Sequence, residues 1–452
     1  MTPLPLPMRA MSPAVHVATR DGVLYWPLIF FIAYLAFTLL LTVAGPVVYL
    51  HFDIVRVGVY LAAITAAVIA GYVFAVRGRM ITPTATTPPI NENWERMFFN
   101  VLLAVSGLGF LFTLVTFIGQ GANFSLSGAG EAYFDLYERE RGAAAQGYSL
   151  SFILYSALAP FIFMLNVLGL YYFRKLGLTQ KVLVAMVVFG SPILFMLNAG
   201  QQKTIGDLIV YMGCIFVIMA SRSRKPISLR TYALLFAVAI AAVYIFSFIL
   251  ANRYTAIGIG AHNINYREID LIYYDTTHPV FRIFGPDRGF AISAVVMYLT
   301  NGWNGLSYAL HTEPTWSYLY GSSYSISVIA ERYLGLESVL DLTYPSITAY
   351  ESGWGTTRWY SVFAWFASDF TWIGTIPLFG WLAYVYGRCW AEIVEFRNPF
   401  SMLLFSLLTL GVVMMPANNQ LMQTPGGLAT LGLTVVLYLV YRRRYNRVQL
   451  PA

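Results

Sequence analysis

Residues 24–44 read LYWPLIFFIAYLAFTLLLTVA, twenty-one residues without a charge. At about 1.5 Å of rise per residue, a helix over them is roughly 30 Å long, the hydrocarbon thickness of a bilayer. Comparable runs recur at roughly 57–76, 97–118, 151–173, 182–198, 205–220, 233–250, 370–387, 400–416 and 427–441. Of 452 residues, 58% are hydrophobic and only 11% charged, with mean hydropathy +0.63. A spanning segment must satisfy its own backbone polar groups inside the bilayer, so long apolar runs imply helices. The sequence therefore predicts an all-α polytopic membrane protein with ten crossings, or twelve if residues 290–299 and 316–334 also cross. Either number leaves both termini on one side.

Lys and Arg are retained preferentially on the cytoplasmic side of short loops. Arg77, Arg79 and Arg96 fall on one side with Arg174, Lys175 and Lys181, with Arg222, Arg224, Lys225 and Arg230, and with Arg442, Arg443, Arg444 and Arg447. The formal net charge of +7 then divides into +13 inside and −6 outside, which predicts cytoplasmic termini. The first 22 residues, with Arg9, Arg20 and four prolines, read as a tail and not a cleavable signal. Residues 82–89 read as an extended inner linker, and the carboxylates of Glu131, Asp135 and Glu138 as one face of a surface helix.

Three parts follow: a membrane bundle of about seven helices over 1–250, a large outer loop over 251–368, and membrane helices with a basic tail over 369–452. The loop holds six arginines, nine carboxylates, three histidines, five tryptophans and thirteen tyrosines, but no lysine. Its most apolar piece, 290–299, is too short to cross and is expected to lie at the interface or re-enter partway.

Several function classes lack their supports. No stretch interleaves Lys and Arg as nucleic-acid binding needs, and Cys214 and Cys389 have no metal or redox spacing. Phosphate-cradling, dinucleotide, zincin and serine-hydrolase motifs are absent. A transporter would place ionisable groups in mid-membrane, whereas these gather outside, Asp207 near the sixth run being an exception.

The loop composition suits a glycan, because sugar C–H faces lie on aromatic rings while hydroxyls need directional polar partners. The same Trp and Tyr also suit the aromatic belt of a membrane interface. A guanidinium fork grips phosphate or pyrophosphate, and Arg288 leads Arg282, Arg358 and Arg253 as candidates. Each has a structural alternative in an ion pair with Asp287, Glu268 or Glu351. A proton acceptor for an attacking hydroxyl could be His311 or Glu313, with Asp275, His278 and Asp369 behind them. Asp369 could instead be a buried hydrogen-bond acceptor that fixes the loop.

Arg288-Gly289-Phe290 and the stretch 298–310, YLTNGWNGLSYAL, resemble the O-antigen polymerase family, whose text runs Y-x-T-x-G-Y-x-G-L-S-x-A-L. Trp316 to Tyr324, Gly353-Trp354-Gly355-Thr356-Thr357 and the stretch 361–370, SVFAWFASDF, resemble later passages of the same family. About 80 residues carry the resemblance. It departs at the R-x10-G repeats described for some members: eleven residues after Arg282 stands Ser293, and eleven after Arg288 stands Leu299. Where many members have a Gly-x-Arg turn before the sixth span, this chain has Gly200-Gln201-Gln202-Lys203, so Lys203 stands in for that arginine or the site lies elsewhere.

The resemblance implies a metal-independent, cofactor-free glycosyltransferase of the C-type superfamily in a bacterial inner membrane. It would polymerise undecaprenyl-pyrophosphate-linked oligosaccharide repeat units, alongside a flippase and a chain-length regulator. Arg282, Arg288 and Lys203 would hold pyrophosphate, Trp303 and Tyr308 would stack on sugars, and His311 or Glu313 would activate the acceptor. The alternatives are a ligase delivering glycan to lipid A core, a noncatalytic exporter or flippase, and an assembly scaffold.

Overall fold

The computed structural model describes residues 21–77, 92–119, 150–199, 202–221, 228–256, 271–313, 315–355 and 359–449. The linker at 82–89, the carboxylates at 131–138, Arg9, Arg20 and Arg358 lie outside the described residues. Among the described residues thirteen α-helices form the frame: α1 Trp26–Ala44, α2 Ile54–Val76, α3 Glu92–Gly119, α4 Leu150–Tyr172, α5 Leu178–Ala199, α6 Lys203–Ala220, α7 Leu229–Ala256, α8 Pro279–Ala309, α9 Tyr324–Tyr333, α10 Tyr344–Ser352, α11 Ser361–Phe396, α12 Pro399–Met414 and α13 Pro425–Gln449.

The protein is a mostly helical polytopic membrane protein. Among the described residues seven helices, α1 to α6 and α11, are long and apolar enough to cross a bilayer. Three shorter apolar helical segments, Val243–Asn252, Pro399–Met414 and Pro425–Tyr441, complete the set of apolar runs. All ten runs read from the sequence fall on helices.

Local chemistry sets where these helices begin. Asp53 caps α2 by accepting the Arg56 N–H at 3.0 Å, and Asn398 caps α12 by accepting from Phe400 and Ser401. Helices α2 and α11 make the most extensive pairing. They approach so closely at Gly71 and Gly380 that a Cβ on Gly71 would collide with the Gly380 carbonyl, the small-residue packing that lipid-embedded helices use in place of a hydrophobic driving force. Above this contact Tyr60 Oη and Thr375 Oγ1 share a hydrogen bond of 2.7 Å.

The largest difference from the sequence reading concerns 251–368. Helix α7 runs on to Ala256, and α11 starts at Ser361 instead of about 370. Residues 290–299 are no isolated piece, since they belong to the 31-residue α8, broken only at Gly285 (φ 79°) before Pro286. Beyond the break α8 threads between other elements: Phe290 meets Tyr254 and Tyr298 meets Phe246 of α7, Thr300 Oγ1 bonds Tyr49 Oη at 2.7 Å, and Gly302 and Gly305 sit against backbone of residues 416–417 and 359–360. Its polar letters Asn304, Ser307 and Thr300 are buried, so low hydropathy here marks helix-to-helix packing and not a solvated loop.

A two-stranded sheet ties this region to the first span. Strands β1 Val47–Tyr49 and β2 Ile272–Tyr274 pair antiparallel, Val47 opposite Tyr274 and Tyr49 opposite Ile272. The end of the bundle carrying Ala44, Asp53 and this sheet is termed the loop end below.

Candidate functional site

At the loop end α8 finishes beside the start of α2. Asp53 N–H donates to Ser307 Oγ at 2.9 Å, and Arg56 Nη1 donates to the Leu310 carbonyl at 3.2 Å. These two bonds lock the α1–α2 connection onto the last turn of α8. His311 follows at once. Its Nδ1 lies 2.8 Å from the Ser307 carbonyl, and its Nε2 lies 3.4 Å from Asp53 Oδ2.

A carbonyl only accepts, so Nδ1 carries hydrogen and donates to Ser307, and in the neutral ring Nε2 holds the lone pair. That lone pair sits beside a carboxylate at a half-exposed position, the side chains being 48% and 34% accessible. The Arg56 N–H, and after it the nearby His311 and Arg56 charges, hold the Asp53 carboxyl below its ordinary range against an opposing desolvation effect. The group is therefore an ionised partner for an imidazolium. Arg56 is itself half-exposed, with Nε 3.9 Å from Asp53 Oδ2. The constellation comprises an oriented imidazole, an ionised carboxylate beside its Nε2, and a guanidinium within the same turn of structure.

A second aspartate at the loop end is arranged differently. Asp369, 5% exposed, accepts from Ser317 Oγ at 2.6 Å and the Gly321 N–H at 2.9 Å through Oδ1, and from Ser322 Oγ through Oδ2. Trp316 Nε1 donates to the Asp369 carbonyl at 3.0 Å. Asn419 Nδ2 donates to the Ser322 carbonyl at 2.6 Å. The carboxylate thus clamps the 316–322 turn to α11 just before the break at Thr371 (φ 61°, ψ 167°).

No family model, curated protein or solved structure matches the chain. The site therefore rests on its geometry.

The remaining sequence candidates fall apart in space. Arg288 lies near the start of the unbroken part of α8 and His311 just past its end. About 1.5 Å of rise per residue separates them by roughly 30 Å. The structure therefore does not bring Arg288 together with His311 or Glu313. Arg282, Arg288 and Glu313 are exposed.

Trp303 is fully buried and stacks on Phe363, centroids 6.1 Å apart, so neither ring face is open in this structure. Tyr308 is half-buried against Trp354 at 5.6 Å. Lys203, at the start of α6, pairs with Asp207 at 2.9 Å, while both amide atoms of buried Gln202 lack a hydrogen-bond partner. Arg253 sits in the last turn of α7, and its side chain lies outside the described residues.

Asp275 and His278 build the entry to α8. Asp275 Oδ1 accepts from the Thr277 N–H and hydroxyl, and His278 bonds the Val280 N–H and the Ala44 carbonyl. Sequence reasoning missed Asp53 and Arg56. The available signal was two opposite charges in the short segment between two apolar runs, where an ordinary connector needs none. Among the described residues no group of three His, Cys, Asp or Glu could hold a metal ion.

Proposed function

We propose that the protein is a membrane glycosyltransferase of the C-type architecture that extends lipid-linked glycans at its loop end, polymerising undecaprenyl-pyrophosphate-linked repeat units in a bacterial inner membrane. Counting the three shorter apolar helices as crossings gives ten, with both termini in the cytoplasm. The observation that carries the reading is the His311 imidazole, oriented by the Ser307 carbonyl and flanked by the ionised Asp53 at a half-exposed position. The resemblance of 298–310 to O-antigen polymerases supports it, since that stretch is the part of α8 that delivers His311.

In this reading the acceptor sugar hydroxyl gives its proton to His311 Nε2 as its oxygen attacks the anomeric carbon of the donor. The anomeric C–O bond to pyrophosphate breaks, and the leaving group departs with the electron pair. Asp53 stabilises the resulting imidazolium, and Arg56 offers its free guanidinium edge to the phosphate.

Purified protein supplied with a lipid-linked repeat unit is expected to make a ladder of longer glycans, and His311→Ala to abolish it. A glycan moved onto lipid A core instead would assign the ligase activity. Lipid-linked sugar crossing a vesicle bilayer with no new glycosidic bond would assign an exporter and end the transferase reading.

A further inference from the structure

A cleft lined by α1, α2, α11, α12, the turn after α12 and Leu431 of α13 holds about 860 Å³ of space not filled by protein atoms, the open space at its mouth included. Its apolar lining includes Leu28 and Phe31 of α1, Val68 of α2, Phe379 of α11, Val412 of α12 and Leu431 of α13. Helix α1 packs on α2, α8 and α11, whereas α13 packs on α4 and α12. The outward faces on either side are apolar and exposed: Ile29 and Phe30 on α1, Val436 and Leu439 on α13. In a membrane-crossing bundle these faces meet lipid tails, and the cleft continues that surface inward.

The lining decides the occupant. Among the described residues it has no Asp, Glu, Lys, Arg or His. Its two phenols are already engaged, Tyr72 Oη donating to the Leu24 carbonyl at 2.7 Å and Tyr386 Oη bonding Thr409 Oγ1 at 2.9 Å, so the rings present hydrocarbon only. Water needs two or more polar partners and would find few there. The polar lining gathers in the turn after α12, as the amides of Asn418, Asn419 and Gln420. Neutral amides suit a zwitterionic head, whereas a pyrophosphate would require cations that this turn lacks.

We infer that the cleft binds one acyl chain of a zwitterionic phospholipid, entering sideways from the bilayer with its head at the 418–420 amides. The inference stands apart from the transferase reading. Asn419 also bonds the Ser322 carbonyl, so the occupied mouth lies one residue contact from the Asp369 clamp.

The test uses the full chain in nanodiscs of phosphatidylethanolamine doped with the same lipid carrying a diazirine in its acyl chain, with adducts mapped by peptide mass spectrometry. Adducts are expected at Val412 and Leu431 as well as at exposed Leu439. Val412→Trp should remove the cleft adducts and leave those at Leu439 unchanged, which also shows the bundle still folded. In the unaltered protein, excess unlabelled phosphatidylethanolamine should suppress the cleft adducts. Adducts confined to exposed faces, cleft adducts that survive Val412→Trp, or suppression by polyprenyl pyrophosphate but not by phosphatidylethanolamine would each overturn the inference.

Discussion

Two aspartates at the same end of the bundle have opposite fates. Asp369 is buried and receives three donors, so both oxygens are engaged and the group is closed off from the surface. Asp53 is one-third exposed, and its Oδ2 faces an imidazole at 3.4 Å. A saturated carboxylate fixes a turn, while an unsaturated one at the surface is free to follow a proton. Residue type alone does not separate these roles; what does is burial and the number of donors the surrounding fold supplies.

The comparison breaks most readily at His311. His311→Ala is expected to lower glycan transfer by about 10²–10⁴-fold, the usual worth of a general base, with little change in melting temperature; loss of fold instead of rate would make His311 a second clamp. On the other side, Asp369→Ala should cost roughly 3–5 kcal/mol of stability, because two hydroxyls and an amide lose a buried acceptor. Thermal unfolding in detergent reads this directly, and an unchanged melting point would remove the clamp.

Asp53→Asn sharpens the contrast further. Asparagine caps a helix as well as aspartate does, so stability should hold while transfer falls roughly ten-fold, less than for the base itself. A drop in both would show that Asp53 acts mainly as a cap. The smallest effect concerns acid. The folded-state carboxyl of Asp53 is depressed, so its stabilising contribution is fully present above the ordinary carboxylate range near 3.9 and is lost as pH falls through the lower folded value. Asp53→Asn should flatten that acid limb, measured as melting temperature against pH.

The spanning helices were legible because bilayer hydrocarbon imposes length and hydropathy together, and each of the ten runs became a helix. Helix α8 was not, since its central turns bury Asn304, Ser307 and two glycines against other backbones, and close packing of small polar residues reads as loop by hydropathy. The geometry of the candidate site was half legible. His311 drew notice as a histidine beside a turn, but its partner lies 258 positions earlier, and no local spacing announces a contact made by tertiary packing. Arg288 drew notice for its fork chemistry, which composition shows, while its distance from His311 along α8 is visible only once the helix is known to be continuous. Trp303 shows the same limit: an indole in an aromatic-rich loop reads as a binding platform until the fold closes over both its faces.

The central claim is that Asp53 and His311 act as one unit. The direct measurement is a double-mutant cycle on transfer rate with Asp53→Asn and His311→Ala. If the carboxylate works through the imidazole, the double variant should be no slower than His311→Ala alone. Losses that multiply in full would contradict the account, since each residue would then act without the other.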